Sequence, residues 1–433
     1  MVLAPSLHHS KEKPLLYLHG GPGIATVENV PRYLQSKTWK LLRENRAILF
    51  FDYRGTGFSE PALCPGMEDA LSHFLKIDSS ADARQAYEIS LYRDCRTQLL
   101  SEGIDIASFN STQLSDDAEA IRKALQIRRW DVYGVSFGTT VALQLLRNHG
   151  KTIRSMIMDS PFPPNAPWPD FVRPFDTCFK VLEKNISIDP IALAHFPSLR
   201  IDFANAVKRL NETPVRLKSD EGSEEYEYSG DDFAWSIWSA MLSPKSIPFV
   251  PLAIHEVGNG NDSILPTWTT AFSDPNSFGM FSAPQSNAIL CYESRPKTVS
   301  DTKESLLLAY PDFSSFAIDF DGALCDTWQP QSADSDAFKP VASTVPVLIL
   351  SGEYDPVCSP LFGNLTSSTL PNSTFIIIPA ASHAAIHADD CLRRIADGFL
   401  KGPKLKPKIS CVSNRSQMHF ITDNLADALS GYK

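Results

Sequence analysis

The sequence predicts an α/β fold in which a mostly parallel β-sheet is flanked by helices and interrupted by a large, mainly helical insertion. Short aliphatic segments alternate with helical patterns up to Asp159. The alternation then stops for about 180 residues, which is far longer than the loops of compact domains. Strand-like segments return afterwards, so the predicted domains are core at 1–160, a cap insertion at 161–340 and core again at 341–433.

Six segments carry the pattern of buried parallel strands. Each is short, aliphatic or β-branched, and is followed by a glycine-rich or polar turn. They are Pro14–His19, Arg46–Asp52, Trp130–Gly134, Ile153–Asp159, Val345–Gly352 and Thr374–Pro379.

Two helices fit between these strands. The first is predicted over roughly 115–127, because four apolar residues share one face. Thr112 or Ser115 is its candidate N-cap. These are Leu114, Ala118, Ile121 and Leu125. The second is predicted from about 139 to 148 and ends before Gly150.

Composition excludes several classes of protein. The 433 residues are 43% hydrophobic and 21% charged, which is typical of a globular chain rather than a disordered one. A net charge of −10 provides no basic face, so nucleic acid is not an expected partner. No apolar run approaches the roughly 18 residues of a membrane span, so no membrane is expected either.

Residues 134–138 read G-V-S-F-G and stand between a predicted strand and a predicted helix. The two glycines permit a turn so sharp that the hydroxyl of Ser136 is exposed as a nucleophile. Residues 19–23 read H-G-G-P-G and follow the first strand. A backbone N–H of this glycine-rich turn, together with the N–H of Phe137, is therefore a candidate donor to an oxyanion.

The acid and base are expected in the order Ser, acid, His. Asp355 follows one late strand and His383 follows the next, so His383 is the candidate base and Asp355 the candidate acid that orients it. His387 is the fallback base and Asp159 the fallback acid. No Walker motif, dinucleotide fingerprint or HExxH is present, so the sequence predicts chemistry without a cofactor or a metal.

Two other features are expected to have a structural rather than a catalytic role. Asp52 and Arg54 are expected to form a buried ion pair that holds a turn. The seven carboxylates between 220 and 232 are expected to form a solvated loop. These carboxylates and Glu293 are nevertheless candidates for a pocket that binds a substrate ammonium group.

Eight cysteines without a CxxC pair and seven Asn-x-Ser/Thr sequons favour an oxidising, secretory-type environment such as secretion or the vacuole. The first residues do not read as a signal peptide, so either a leader lies upstream or the protein is cytoplasmic.

The combination HGGPG, DYRGTGFSEPALC, YGVSFGTT and VLILSGEYDPV, followed by a strand and His383, resembles the tripeptidyl aminopeptidase-like and proline iminopeptidase-like serine α/β-hydrolases. The resemblance covers most of 14–160 and 340–411. It implies an α/β-hydrolase fold with a helical cap, export from the cell, and the triad named above. The resemblance further implies that the N–H groups of Gly21 and Phe137 are the oxyanion donors. It also implies the disulfides Cys64–Cys95, Cys291–Cys325 and Cys391–Cys411, and leaves Cys178 and Cys358 unassigned.

The chain departs from this family in three places. Ser382 precedes the histidine where Gly is common, and Cys358 stands where a Thr-Pro step is commoner. Family members usually carry two strands before HGGPG, whereas thirteen residues precede Pro14, so strands at the N-terminus are expected to be missing.

The favoured function is an aminopeptidase that releases short peptides or proline from free N-termini through an acyl-enzyme. The alternatives are an esterase or lactonase acting on a small acyl metabolite and a catalytically silent binding protein. The oligomeric state is left open.

Overall fold

The computed structural model describes residues 1–8, 10, 12–71, 81–166, 170–218, 225–272, 280–293, 303–316, 323–328 and 333–423. The strands in this part of the chain are β1 Val2–Ala4, β2 Leu15–Leu18, β3 Ile48–Phe50, β4 Trp130–Val135, β5 Ile153–Asp159, β6 Val215–Lys218, β7 Glu225–Tyr228, β8 Val347–Gly352 and β9 Ser373–Ile378. Seven of them form one sheet in the order β1-β3-β2-β4-β5-β8-β9. Among the seven described strands of this sheet, only β1 is antiparallel to its neighbour. The other two, β6 and β7, form a separate antiparallel pair. The α/β fold class is confirmed.

All six predicted strands are present, with ends that differ by up to two residues. Three described strands were not predicted. Two of them, β6 and β7, pair with each other within the insertion that was expected to be mainly helical. The third, β1, pairs with β3 at the edge of the sheet. Strand β1 stands ahead of the HGGPG strand, where the family resemblance implies two strands.

The sheet is covered on both faces, which explains why its strands read as continuous apolar runs. Alternate side chains of β2 enter different clusters: Leu16 and Leu18 pack into one, Leu15 and Tyr17 into the other. The same alternation holds along β8.

The described helices are α1 Val30–Tyr33, α2 Lys37–Arg43, α3 Ala81–Ser101, α4 Ser111–Ala124, α5 Phe137–His149, α6 Val172–Ser187, α7 Pro190–His195, α8 Leu199–Glu212, α9 Gly230–Met241, α10 Val250–Gly258, α11 Leu265–Phe272, α12 Ala283–Glu293, α13 Lys303–Ala309, α14 Ala323–Trp328, α15 Pro360–Ser367, α16 Asp390–Lys401 and α17 Ser410–Ser413. The first predicted helix was placed four residues too late, because the N-cap of α4 is Asn110, whose side chain accepts from the N–H of Gln113. The second begins at Phe137 rather than 139 because Ser136 is itself the N-cap.

The helices between β5 and β8 pack in two places. Those from α6 to α11 share an aromatic cluster in which the Arg200 guanidinium lies 4.9 Å above the ring of Phe313. By contrast, Cys291 on α12 and Trp328 on α14 belong to the cluster under the sheet. Part of the segment expected to form the cap therefore packs against the core. The domain boundaries at 160 and 340 stay predictions.

Three disulfides join Cys64 to Cys95, Cys291 to Cys325 and Cys391 to Cys411, as the resemblance implies. Cys178 and Cys358 are free and buried. No helix in the described part of the chain has the length and apolarity to cross a bilayer.

Candidate active site

Ser136 occupies the sharp turn between β4 and α5. Its backbone has φ 55° and ψ −130°, a region that costs a non-glycine residue free energy and recurs at functional sites. The flanking glycines are required by space. A Cβ at Gly134 would lie 2.7 Å from the carbonyl oxygen of Gly138, and a Cβ at Gly138 would overlap the carbonyl oxygen of Leu18. The serine side chain is half-buried at the end of the sheet.

His383 and Asp355 lie together at the same end of the sheet, after β9 and β8. Nδ1 of His383 lies 2.9 Å and 3.1 Å from the two carboxylate oxygens of Asp355. The carboxylate is fully buried, whereas 21% of the histidine side chain is exposed. Among the described residues no hydrogen bond joins Ser136 Oγ to His383, a contact that is often long in hydrolases without substrate.

The two side chains shift each other's pKa in opposite directions. Burial is the largest single influence and lowers the pKa of His383, but the charge of Asp355, its hydrogen bond and the charge of Asp159 together outweigh burial. The pKa therefore lies above its usual 6.5. Burial raises the pKa of Asp355, and the charge of His383 together with hydrogen bonds brings it below the usual value. Asp355 is thus an ionised acceptor able to orient the imidazole.

The loop of Asp355 is held by its own backbone. Oδ1 of Asp355 accepts from the N–H of Val357 at 3.0 Å and from the N–H of Cys358 at 2.8 Å. Because these donors are backbone groups, the loop forms with Cys358 where the family commonly has Thr. Ser382, the second departure, donates its hydroxyl to the carbonyl oxygens of Met241 and Tyr354 and so ties α9 to this loop.

The H-G-G-P-G segment passes directly beside Ser136. A Cβ at Gly20 would lie 2.9 Å from Cβ and 3.4 Å from Oγ of Ser136, so no side chain fits there. Gly21 has φ +120°, which favours glycine. The N–H of Phe137 is in the first turn of α5 and has no intrahelical acceptor. Gly20 is the member of this segment nearest Ser136, and the sequence analysis did not single it out.

The two fallback residues belong to a separate polar group. Oδ2 of Asp159 accepts from the Tyr133 hydroxyl at 3.1 Å and from the N–H of Ile386 at 3.0 Å. Nε2 of His387 lies 3.4 Å from the same hydroxyl. Burial raises the pKa of Asp159 to about 6 and lowers that of His387 to about 4. Neither residue contacts the Asp355–His383 pair by a hydrogen bond among the described residues.

The expected Asp52–Arg54 ion pair is wrong. Asp52 accepts from three backbone N–H groups, of Thr26, Val27 and Phe58. Arg54 instead forms a two-pronged pair with Asp117 on α4. An aspartate close to a turn has backbone donors within reach, whereas a long arginine reaches the neighbouring helix.

Glu293 ends α12 and lines a small pocket together with Phe137, Thr140, Gln144, Phe162 and Phe338. One carboxylate oxygen accepts from the N–H of Ser111, the first residue of α4. Burial raises the pKa of Glu293 to about 7. The candidate substrate-binding residue thus lies near Phe137 but already caps a helix.

The acidic residues 225–232 lie on β7 and the start of α9, where Glu225 and Glu227 are exposed and Asp232 completes a capping box. Carboxylates 220–224 fall outside the described residues.

Besides Gly20, sequence reasoning missed two residues at the site. Ser160 follows Asp159 with φ 55°, and its hydroxyl bonds Asp355 and accepts from the N–H of Ala384. Cys358 was noted only as a departure from the family, yet its Sγ lies 3.9 Å from Ser136 Oγ. Ser160 directly follows β5, which pairs with β4, the strand that leads into the turn at Ser136. Its position at that end of the sheet was the signal that could have identified it.

Residues 13–246 match the alpha/beta hydrolase fold family, and residues 310–411 match the family described as TAP-like protein. The chain therefore belongs to the α/β-hydrolase fold family and is a serine hydrolase of that fold. Within that fold the chain is similar to proline iminopeptidases and, over residues 310–411, to TAP-like proteins.

Named relatives are distant. A probable proline iminopeptidase from Leptolyngbya boryana is 22% identical over 383 residues, covering 87% of this chain and 83% of the relative. The serine protease Hip1 of Mycobacterium tuberculosis is 20% identical over 417 residues, covering 90% and 78%. The crystal structure of a Mycobacterium smegmatis proline iminopeptidase shares 15% identity with a TM-score of 0.45, covering 93% of this chain and 94% of that one.

Proposed function

We propose that the protein is an aminopeptidase that removes proline or short peptides from free N-termini. The observation that carries the catalytic part is the buried Asp355–His383 pair at the strand ends beside the strained Ser136. The peptide part is supported by the names of the relatives, which describe a probable proline iminopeptidase and a serine protease.

In the proposed reaction Ser136 Oγ attacks the substrate carbonyl while His383 takes the hydroxyl proton. Asp355 holds the proton of the imidazole on Nδ1, which leaves Nε2 free to act as the base. The N–H groups of Phe137 and Gly21 donate to the oxyanion. His383 then protonates the leaving amine and activates the water that hydrolyses the acyl-enzyme.

The proposed partner of the substrate ammonium group is Glu293. Its carboxylate shares a pocket with Phe137, the residue that follows the nucleophile. An ionised carboxylate in this pocket would attract the ammonium group of a free N-terminus, and an acetylated N-terminus has no such charge to attract.

A matched set of substrates tests the proposal. Prolyl-, alanyl- and tripeptidyl-anilides, each with a free and an acetylated N-terminus, are compared with short-chain nitrophenyl esters, and Ser136→Ala is the blank. We expect turnover of the free-amine anilides only. Cleavage of esters without cleavage of any anilide would contradict the peptidase assignment.

The role of Glu293 is tested with Glu293→Gln, which keeps an oxygen that can accept from the Ser111 N–H. The matched control is Glu68→Gln, because Oε1 of Glu68 likewise accepts from the first N–H of a helix, that of Ala283. We expect Glu293→Gln to raise KM for free-amine anilides about tenfold, the loss of one charge-assisted bond, and to leave esters unchanged. An equal loss on both substrate classes would assign Glu293 to folding alone.

One observation favours the second candidate, an esterase or lactonase. One oxygen of Glu293 is occupied by Ser111, and a pKa of about 7 leaves much of the carboxyl protonated at neutral pH. A neutral acyl substrate needs no counter-ion in this pocket, and the ester arm of the same assay reports this outcome.

We further propose export through a secretory route. Three disulfides support it, and five of the seven sequon asparagines are exposed: Asn211, Asn261, Asn364, Asn372 and Asn414. Asn110 is buried as a helix cap. Expression in a glycosylating host should give a mass that falls on glycosidase treatment, and an unchanged mass would contradict the proposal.

A further inference from the structure

We propose that Cys358, His383 and Asp355 form a binding site for a thiophilic divalent cation such as Zn²⁺, and that its occupancy inhibits the enzyme. The site uses a thiol that the reaction proposed above does not need. The inference rests on the proposed roles of His383 and Asp355 only for the inhibition, and not for the binding of the metal.

The three side chains already converge. One donor atom of each lies within 4.8 Å of the other two. With bonds of about 2.0–2.3 Å, tetrahedral zinc holds its donors roughly 3.5 Å apart, so these side chains need to close by about 1 Å. The His383 side chain keeps 21% of its surface exposed, which gives an ion a path from the substrate side.

The donor set suits zinc rather than calcium or magnesium. Thiolate, imidazole and carboxylate are the ligands of zinc sites, whereas the harder cations take oxygen ligands. Three protein ligands also leave a fourth position open. The Oγ of Ser136 lies 3.9 Å from the Cys358 sulfur and would be the nearest further oxygen ligand, with water as the alternative.

Without a metal the thiol of Cys358 is protonated and carries no charge. Cys358 is buried with Phe162, Ala166 and Phe362, and this burial raises the pKa of its thiol well above the usual value. A neutral thiol leaves the charges of Asp355 and His383 unperturbed. Binding of Zn²⁺ converts the thiol to a thiolate and releases its proton to solvent.

Occupancy blocks the base whichever ring nitrogen is used. A metal on Nδ1 of His383 forces the ring proton onto Nε2, which can then no longer accept the proton of Ser136. A metal on Nε2 occupies that nitrogen directly. In both cases Asp355 is drawn from orienting the imidazole to binding the cation.

The test titrates zinc chloride into wild type, Cys358→Ser and Cys178→Ser, with each rate expressed relative to the same protein in EDTA. Cys178 is the matched control because it is also free and buried, but its sulfur contacts the carbonyl of Tyr354 and the sulfur of Met241. The readouts are ester or anilide hydrolysis and the rate of labelling by a serine-directed fluorophosphonate. Cobalt(II) provides a readout without activity, through the thiolate-to-metal charge-transfer band in the near ultraviolet.

We expect zinc to inhibit wild type and Cys178→Ser, and EDTA to reverse the inhibition. Inhibition of Cys358→Ser should need at least about tenfold more zinc, since even the loss of an outer-shell contact costs that much affinity. The cobalt band should disappear in Cys358→Ser. Equal zinc sensitivity of Cys358→Ser and wild type, or no inhibition and no cobalt band in wild type, would overturn the proposal. A cobalt band in a protein that cleaves no anilide would support the metal site while contradicting the aminopeptidase assignment.

Discussion

Asp159→Asn probes a buried carboxylate that the proposed chemistry does not use. Asp159 ends β5 and is fully buried, and its Oδ2 accepts from the Tyr133 hydroxyl and the Ile386 N–H. Its Oδ1 has no hydrogen-bond partner among the described residues. Ionisation of this group is therefore poorly compensated, and burial raises its pKa from the usual 3.8 to about 6.

The magnitude follows from the difference in pKa between the folded and unfolded chain. The difference is about 2 pH units, which corresponds to about 3 kcal/mol of destabilisation once Asp159 is ionised. The folded state binds the proton more tightly, so this cost is absent below about pH 4 and grows as pH rises to about 6. Asn removes it, but places an amide N–H₂ where Oδ1 has no partner, at a cost of about 1–3 kcal/mol at every pH.

We therefore expect Asp159→Asn to be about 1–3 kcal/mol less stable than wild type at pH 4 and as stable or up to about 2 kcal/mol more stable at pH 7. Urea unfolding at both pH values, followed by tryptophan fluorescence, measures the two free energies of unfolding. The cost of the unpaired amide is the same at both pH values, so it cancels when the stability difference between variant and wild type at pH 7 is compared with that at pH 4. A difference between variant and wild type that is the same at both pH values would refute the reasoning.

Three other predictions concern the site and the elbow. Asp355→Asn should lower kcat by about 10⁴-fold, because an amide stabilises the wrong imidazole tautomer. Asp159→Asn, by contrast, should retain most of the activity. Equal losses of the steady-state rate in the two variants would contradict the assignment of Asp355 as the acid. Activity needs neutral His383, so the acid limb of kcat/KM against pH should lie above 6.5, as its raised pKa implies; a limb below 6.5 would argue against this base. Gly138→Ala should lower the free energy of unfolding, measured by heat or urea, by about 1–3 kcal/mol, because its Cβ would overlap the carbonyl at the end of β2. Gly398→Ala in α16 is the control, since its Cβ would meet nothing within 4 Å. That variant should be neutral or stabilising by up to about 1 kcal/mol. Equal effects of the two glycine substitutions would show that the overlap relaxes freely.

The local patterns of the sequence were sufficient for the strands and the elbow. A buried parallel strand must be apolar on both faces, so its pattern is visible without knowing its neighbours. The turn at Ser136 needs small residues at 134 and 138 because the backbone of β4, α5 and β2 meets there, and that requirement is written in the motif.

Helix ends were less predictable. The apolar stripe located the middle of α4 but not its start, because Asn110 caps it through a side chain that periodicity does not register. The short edge strand β1 likewise carries little pattern and exists through its pairing with β3.

The amino-acid sequence by itself determined the class of fold, the elbow at Ser136 and the order of the candidate nucleophile, acid and base. Asp159 ends β5 and Asp355 follows the neighbouring strand β8, and only the tertiary structure decided that His383 pairs with Asp355. It also decided that Arg54 meets Asp117 rather than Asp52. The physical reason is that strand and turn patterns arise from contacts between neighbours in the chain, whereas the partner of a charged side chain depends on how loops distant in sequence pack together.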